Sequence, residues 1–515
     1  MSKIRYYIYV SDKTKQKKRG GYMSKQELFS SANSPEALGI PSSAVLNFIE
    51  RINKEQICMH GFLLLREGQI VAEGYWDPYS EGSMHRMYSI SKSFVSLAIG
   101  LMVDEGKINL DDQVIKFFED KVPQDIHPYL VQSTIRDLLM MSTPHTNTTY
   151  TKDDSDWAAT FFNKKPSHPP GTIFSYDTSA TVILNTIVER VSGMPFLEYM
   201  RERLLDPIGF SKDSWCIKTP EGTSWGGSGV LCTLRDMARL AYVTMNNGCW
   251  DDTQLISQEY IKAATSKQID NSLIGESGYG YQIWIEENGG FSFRGMGSQF
   301  AFCFPEKDFV FACISDTQGS SLGDKSVKDA FYQEIFSKLS DSPLPNDVET
   351  NAMLNEKIKN LRILPQRGEL TSSYEQKVNE QWYVLNENPM GIRRMRLIFE
   401  QDECIWEYEN ASGHHRLKVG MGKKTPQVFP DEGYFGEKIG TPSGRGYDCL
   451  ASAAWVEDHK LDMLVYITDH YLGTLKISFS FKQNEISICM KKGAEWFLEE
   501  YMGFAGGISA LSMES

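Results

Sequence analysis

Residues 88–112, YSISKSFVSLAIGLMVDEGKINLDD, decide the fold of this chain. They predict a helix that runs from Ser89 to Glu105 and is closed by Gly106. Because its apolar residues lie on all sides, the helix is expected inside a core. It begins with the tetrapeptide SISK, the only S-x-x-K pattern in the sequence. Lys92 lies one turn beyond Ser89 on the same helix face, so its amine can reach the Ser89 hydroxyl.

This pattern is typical of a serine nucleophile with a lysine base. A serine in the first turn of a helix lies near unpaired N–H groups and the positive end of the helix dipole. Apolar surroundings lower the pKa of a lysine, and Lys92 with a depressed pKa could act as a general base towards Ser89. The alternative, a helix-capping serine followed by a lysine that extends to solvent, stays open when this motif is taken alone.

A second motif follows at residues 169–179, PPGTIFSYDTS. Pro-Pro-Gly predicts a turn, and residues 180–192 predict a helix that ends at Gly193. Tyr176 lies at the foot of this helix, where a hydroxyl that faces a cleft can relay a proton between nucleophile and leaving group. Taken alone, Tyr176 also fits a packed loop aromatic.

A third motif, FRGMGSQ at residues 293–299, comes directly before a predicted strand at 298–304. Its two glycines allow the backbone to approach a ligand closely. A strand N–H here and the N–H of Ser89 could form a pair of oxyanion donors. The ordinary start of a glycine-containing strand explains the same residues when they are taken alone.

The order of the three motifs resembles the serine β-lactamase-like and penicillin-binding superfamily. Two further stretches carry the resemblance, SWGGSGVLCTLRDMARLA at 224–241 and FRGMGSQFAFCFPEKDFVFACISD at 293–316. Across residues 40–340 the chain looks closest to the class C-like branch, in particular to the esterase type and the 6-aminohexanoate-dimer hydrolase type. The remaining residues of the C-terminal part do not resemble a family in this way.

The resemblance implies a role for each matching residue. Ser89 would be the acylated nucleophile, and Lys92 would be its general base. Tyr176 would protonate the leaving group and activate the water that removes the acyl group. The second oxyanion donor is implied at the N–H of Met296, which follows Gly295.

Two motifs depart from the pattern of true class C β-lactamases, which have Y-x-N and K-T-G. This chain has Y-D-T at 176–178 and R-G-M at 294–296. Arg294 stands where many relatives carry Lys or His, so it could hold a substrate carboxylate; the alternative is an exposed strand-edge arginine without a ligand. The departures favour hydrolysis of a small amide or ester. Two alternatives stay open: a β-lactamase or D,D-/D-amino peptidase, and a non-catalytic acyl-binding sensor protein.

We therefore expect an α+β chain with a second, β-rich part. Strand pairs near the two ends of the first 340 residues predict one antiparallel sheet flanked by helices, with an all-helical subdomain between them. Short alternating runs separated by turns indicate a barrel-like sheet towards the C-terminus. The predicted domains are an N-terminal extension (1–39), a β-lactamase-like serine hydrolase domain (40–341), a linker and helix (342–368) and a β-rich domain (369–515).

Composition narrows the function classes. The 515 residues carry 53 Lys and Arg against 67 Asp and Glu, a net charge of −14, which argues against nucleic-acid binding. No run approaches the ~18–20 apolar residues of a membrane helix. The first 22 residues lack the apolar core of a signal peptide. Met23 is a second methionine at which translation could begin. Nine cysteines without a C-x-x-C pattern suit a reducing compartment.

These features predict a cytoplasmic enzyme. We expect it to need no metal or cofactor, since the sequence has neither the H-E-x-x-H motif of a zinc hydrolase nor a P-loop. Its expected partner is a small-molecule amide or ester substrate rather than a nucleic acid or a membrane, and a homo-oligomer is compatible with the sequence.

Overall fold

The computed structural model describes residues 28–430 and 446–512. Most of the predicted N-terminal extension, including Met23, lies outside the described residues. The helices are α1 (Ser42–Lys54), α2 (Ser91–Asp104), α3 (Pro128–Gln132), α4 (Ile135–Leu139), α5 (Trp157–Asn163), α6 (Thr178–Ser192), α7 (Phe196–Met200), α8 (Leu234–Met245), α9 (Gln258–Ala264), α10 (Gly323–Ala330), α11 (Val348–Lys359) and α12 (Glu375–Val378).

The first part of the chain is built on an antiparallel sheet. Its six strands lie in the order β2-β1-β11-β10-β9-β8, so the strand pairs from the two ends of the region meet as predicted. The strands of this part are β1 (Met59–Arg66), β2 (Gln69–Tyr75), β3 (His85–Arg86), β4 (Trp215–Cys216), β5 (Val230–Cys232), β6 (Cys249–Trp250), β7 (Thr253–Gln254), β8 (Trp284–Ile285), β9 (Phe291–Gly295), β10 (Gln299–Phe304) and β11 (Phe309–Ser315).

Both faces of this sheet are covered. Strand β1 is buried along its whole length, and its side chains alternate between two cores. Phe62 and Leu64 join a phenylalanine-rich cluster with residues of α1, whereas Leu63 and Leu65 join the larger core that contains α2 and α8. Helix α2 is therefore apolar on all sides because it passes through that larger core, as its sequence predicts.

The predicted all-helical subdomain also contains short strands. Helices α2 to α9 lie between β2 and β8, together with the strands β3 to β7 of two or three residues each. One of these pairings matters for function, because β5 holds β3 through the pairs His85–Cys232 and Arg86–Leu231. Such short strands leave no alternation in the sequence, so periodicity cannot reveal them.

The C-terminal part is a closed β-barrel, which confirms the predicted barrel-like sheet. The strands are β12 (Tyr383–Leu385), β13 (Arg394–Glu400), β14 (Glu403–Asn410), β15 (Gly413–Met421), β16 (Thr425–Val428), β17 (Asp448–Glu457), β18 (Lys460–Thr468), β19 (Leu472–Lys482), β20 (Glu485–Ala494) and β21 (Gly503–Ser509). Successive neighbours pair antiparallel, and a short parallel pairing of β15 with β17 closes nine of the described strands into a ring. Strand β16 pairs antiparallel with β17.

Helix α11 connects the two parts. Its Leu354 is buried in the phenylalanine-rich cluster beside α1, so the helix packs on the first part of the chain. We keep the predicted domain boundaries at residues 341 and 369 as a proposal. Among residues 28–430 and 446–512, no helix combines the length and the apolar character needed to cross a membrane.

Candidate active site

Ser89 lies on a tight turn between β3 and α2. The N–H of Met87 donates to the carbonyl of Val230 at 2.8 Å, which ties the start of the turn to β5. A short 3-10 helix, Tyr88–Ile90, then leads into α2, so Ser89 precedes α2 by two residues instead of lying in its first turn as predicted. Tyr88 and Ile90 are buried, whereas Ser89 between them is partly exposed. The turn therefore presents the Ser89 hydroxyl to a cleft while its neighbours anchor it in the core.

The Lys92 amine is in direct contact with Ser89. It donates to Ser89 Oγ at 2.9 Å and to the carbonyl oxygen of Gly227 at 2.7 Å. Burial lowers the pKa of Lys92 to about 7, although the negative charges of Glu495 and Asp177 oppose the shift. A substantial fraction of the amine is thus neutral near neutral pH, and a neutral amine at this distance can accept the Ser89 proton.

Tyr176 completes the group, at the foot of α6. Its ring lies 5.1 Å from Lys92 Nζ and stacks on Trp284 at 5.6 Å. Burial raises the pKa of Tyr176 to about 12, while a hydrogen bond with Ser89 and the charge of Arg294 act in the opposite direction. The hydroxyl is therefore protonated near neutral pH and can donate a proton. The structure thus brings together the three residues that the sequence predicts as catalytic.

The third motif reaches the same turn. Gly295 ends β9, and a Cβ at this position would lie 2.4 Å from the carbonyl oxygen of Met87. Only glycine allows the strand to approach the Ser89 turn so closely. Met296 follows and borders the same cavity as Ser89 and Lys92. The predicted oxyanion role of the Met296 N–H stays a prediction.

Arg294 is held by two carboxylates. Its guanidinium pairs with Glu286 at 2.7 Å and with Glu276 at 2.8 Å, and it lies 5.0 Å above the Trp284 ring. Only 11% of the side chain is exposed, so the alternative of an exposed arginine without a partner is wrong. Binding of a substrate carboxylate by Arg294 stays a prediction and would require one of these pairs to open.

The residues after Tyr176 have two different environments. Asp177 is buried and caps α6: its carboxylate accepts from the Ser179 N–H at 2.8 Å and from the Thr143 hydroxyl at 2.9 Å. Burial raises the pKa of Asp177 to about 6. Thr178, by contrast, borders the cavity that contains Ser89. Thr178 stands where the resemblance places the asparagine of class C β-lactamases.

The cavity beside Ser89 has a volume of about 240 Å³, and the sequence singles out few of the residues around it. Trp225 and Ser228 belong to the stretch at 224–241 that carries the family resemblance, but no motif points to either residue. Glu495 and Trp496 come from the barrel, and no feature of the sequence points to them. The lining residues are Tyr88, Ser89, Lys92, Thr148, Tyr150, Thr178, Trp225, Ser228, Met296, Glu495 and Trp496.

A buried arginine links this cavity to the barrel. Arg86, three residues before Ser89, pairs with Glu495 at 2.8 Å, and none of its side chain is exposed. Its guanidinium lies over the rings of Tyr88 and Tyr471, at 4.2 and 4.6 Å from their centroids. Among the described residues there is no group of three or more His, Cys, Asp or Glu side chains arranged to hold a metal ion.

Comparisons with known proteins identify the family. The family model described as Beta-lactamase matches residues 59–330. The 6-aminohexanoate-dimer hydrolase of Paenarthrobacter ureafaciens is 24% identical over 290 residues, which cover 51% of this chain and 73% of that protein.

Solved structures also resemble the chain. The octameric penicillin-binding protein homologue from Pyrococcus abyssi is 17% identical, covers 90% of this chain and 99% of its own, and gives a TM-score of 0.48. A penicillin-binding protein homologue from Caulobacter crescentus is 18% identical, covers 60% of this chain and 100% of its own, and gives a TM-score of 0.47. Since the family model spans more than half of the 515 residues, this protein belongs to the β-lactamase family and is a serine hydrolase.

Proposed function

We propose that the protein hydrolyses a small amide or ester through an acyl-enzyme on Ser89. The observation that carries the proposal is the hydrogen bond of 2.9 Å between the buried Lys92 amine and the Ser89 hydroxyl. Lys92 takes the hydroxyl proton as Ser89 Oγ attacks the substrate carbonyl, and the N–H groups of Ser89 and Met296 bind the resulting oxyanion.

Tyr176 acts on the leaving group. The intermediate collapses when the bond to the leaving group breaks and Tyr176 gives its proton to that group. The resulting tyrosinate takes a proton from the protonated Lys92 amine, which restores the neutral Tyr176 hydroxyl and the neutral lysine. In the second half of the reaction a water molecule gives a proton to this Lys92–Tyr176 pair as it attacks the acyl carbon. When the bond to Ser89 Oγ breaks, the pair returns that proton to Ser89 Oγ and the acid is released.

Three observations favour a small amide or ester over a β-lactam. Thr178 replaces the asparagine of the class C β-lactamases, Arg294 is occupied by Glu276 and Glu286, and the cavity beside Ser89 is compact. The relative from Paenarthrobacter ureafaciens is named as a hydrolase of the 6-aminohexanoate dimer. We include a cytoplasmic location in the proposal, because the nine cysteines, all within the described residues, are free.

Labelling by an acylating probe tests the proposal. A fluorophosphonate should add one adduct to the parent protein, detected by intact mass, and none to Ser89→Ala. Ser93→Ala is the matched control: this serine lies on α2 next to Lys92, but its hydroxyl donates to the carbonyl of Gln282, and neither residue lines the cavity. An adduct of equal yield on Ser89→Ala would overturn the assignment.

A substrate screen separates the proposal from its alternatives. We expect turnover of p-nitrophenyl esters, D-amino-acid amides or linear ω-amino-acid oligomers, and slow or no turnover of a chromogenic cephalosporin. Fast cephalosporin hydrolysis would indicate a β-lactamase. A stable acyl adduct on Ser89 without turnover of any substrate would indicate a non-catalytic sensor protein.

A further inference from the structure

The connection between β20 and β21, residues 495–502, brings the barrel to the Ser89 cavity. Glu495 and Trp496 at the start of this connection line the cavity together with residues of the first part of the chain. Part of the cavity wall is therefore supplied by the barrel and not by the region that carries the proposed catalytic residues. Without the barrel the cavity would be open on that side.

Trp496 is packed as part of an aromatic wall. Its ring lies parallel to Trp225, with centroids 5.4 Å apart and an interplanar angle of 2°. Trp157 and Tyr150 form T-shaped pairs with it, with ring centroids 5.8 Å and 6.4 Å away. Such stacked and edge-on pairs hold large rings in defined positions. The Trp496 ring therefore presents a rigid, flat and apolar surface beside Ser89.

The backbone around Trp496 is held in a conformation that bulky residues rarely adopt. Trp496 has φ +60° and Leu498 has φ +58°, both in the left-handed region. Strained backbone of this kind persists where the surroundings impose it, and it often occurs at ligand sites. Lys492 contributes to that restraint, because its amine donates to the carbonyl of Phe497 at 2.8 Å and pairs with Glu499.

Glu495 fixes this wall to the Ser89 turn. Its carboxylate pairs with the buried guanidinium of Arg86, which precedes Ser89 by three residues. The hydroxyl of Tyr88 adds a second link, since it accepts from the N–H of Leu472 on the barrel at 3.1 Å. Distances between Ser89 and the barrel wall are therefore set by direct contacts rather than by a flexible connection.

We propose that Trp496 determines substrate size, by closing the Ser89 cavity against any group too long to fit between the Trp496 ring and the nucleophile. The inference rests on the proposed function at Ser89 and adds its substrate class: short amides and esters with a flat or apolar group on the side of the barrel. The compact volume of about 240 Å³ agrees with this class.

Replacement of Trp496 by alanine in the full-length protein tests the inference. We expect the ratio of kcat/KM for p-nitrophenyl octanoate over p-nitrophenyl acetate to rise at least about tenfold, because methylene groups gain room and apolar contact in the enlarged cavity. A second series uses acetyl esters of alcohols of increasing length. It compares kcat/KM for the longest and the shortest alcohol, and so tests the leaving group in the same way. A rise in either series supports the inference and shows which part of the substrate faces Trp496.

Trp382→Ala is the matched control. Trp382 is another partly buried tryptophan of the barrel, covered by Arg394 and Arg396 and absent from the lining of the cavity. Its replacement should leave both ratios unchanged. If Trp496→Ala does not fold, Trp496→Leu, which keeps a smaller apolar side chain, carries the same test.

The outcomes separate the two proposals. Chain-length profiles of Trp496→Ala or Trp496→Leu equal to those of the parent in both series would overturn the role of Trp496 and leave Ser89 untouched. Undiminished hydrolysis by Ser89→Ala would instead overturn the proposed function itself.

Discussion

The two parts of this protein differ in how their functional residues are encoded. In residues 59–330, Ser89, Lys92 and Tyr176 each stand in a short motif whose spacing already indicates chemistry. In the barrel, alternating side chains predict strands, yet Glu495 and Trp496 stand in no pattern. The difference teaches that proton transfer needs particular side chains at fixed local spacing, whereas the wall of a pocket needs only the right shape at the right place.

The barrel also supports the turn that carries the nucleophile. Tyr88 and Arg86 both contact the barrel, through Leu472 and Glu495. If the motif residues supply the chemistry and the barrel supplies the cavity wall and the support of the Ser89 turn, changes among the motif residues should reduce activity while the fold stays stable. Changes at the barrel contact should instead reduce stability or alter the choice of substrate.

The largest expected effect is on activity, from Lys92→Met. The variant keeps the length of the side chain but removes the amine, and we expect kcat/KM to fall by about 10³-fold. In the parent, kcat/KM should rise with pH through about 7, as Lys92 loses its proton and becomes a base; the variant should lack this rise.

Urea unfolding provides the control for Lys92→Met. Its free energy of unfolding should stay close to that of the parent, because a buried amine is replaced by an apolar chain of similar length. An activity loss explained entirely by unfolding would contradict the role of Lys92 as a base and would show that its contribution is structural.

The second effect is on stability, from Glu495→Ala. Loss of this carboxylate leaves the guanidinium of Arg86 buried without its ion pair, and removal of one partner from a buried pair costs about 3 kcal/mol. Urea unfolding measures the loss. Glu495→Gln, which keeps a hydrogen-bond acceptor, should lose less. Equal stability of the alanine variant and the parent would show that the barrel contact does not stabilise the Ser89 turn.

The smallest effect concerns the pH dependence of stability at Asp316, which follows β11 and accepts from Thr474 of the barrel at 3.1 Å. Burial raises the pKa of Asp316 to about 6, above its ordinary 3.8. The folded state thus binds this proton more tightly, so the carboxyl contributes stability below pH 4 that is lost as the pH rises through 6. Relative to the parent, Asp316→Asn should gain about 2 kcal/mol between pH 4 and pH 7.

Unfolding titrations in urea at the two pH values measure this gain. Asp125→Asn, which replaces an exposed carboxylate, serves as the control. Its difference from the parent in free energy of unfolding should change less between the two pH values. A constant difference between Asp316→Asn and the parent across this range would mean that the carboxyl titrates alike in the folded and unfolded states.

Much of the fold is predictable because its signals are local. Helix α2 is uniformly apolar, and β1 and β11 are apolar runs that end at turns, so their positions follow from periodicity within about ten residues. The pairing of β3 with β5 leaves no such signal, because it joins segments of two or three residues that are far apart in the chain. The ion pairs of Arg294 leave no local signal either, since Glu276 and Glu286 face it only after the chain has folded.

The sequence by itself determined the S-x-x-K spacing that brings Lys92 to Ser89, the apolar helix α2 that follows, the family resemblance, and the existence of a β-rich second part. Each of these depends on residues close together in the chain. Only the tertiary structure decided that the barrel closes the cavity. Arg86 and Glu495 are separated by 409 positions, and no local pattern records a contact that forms only when two distant surfaces pack together.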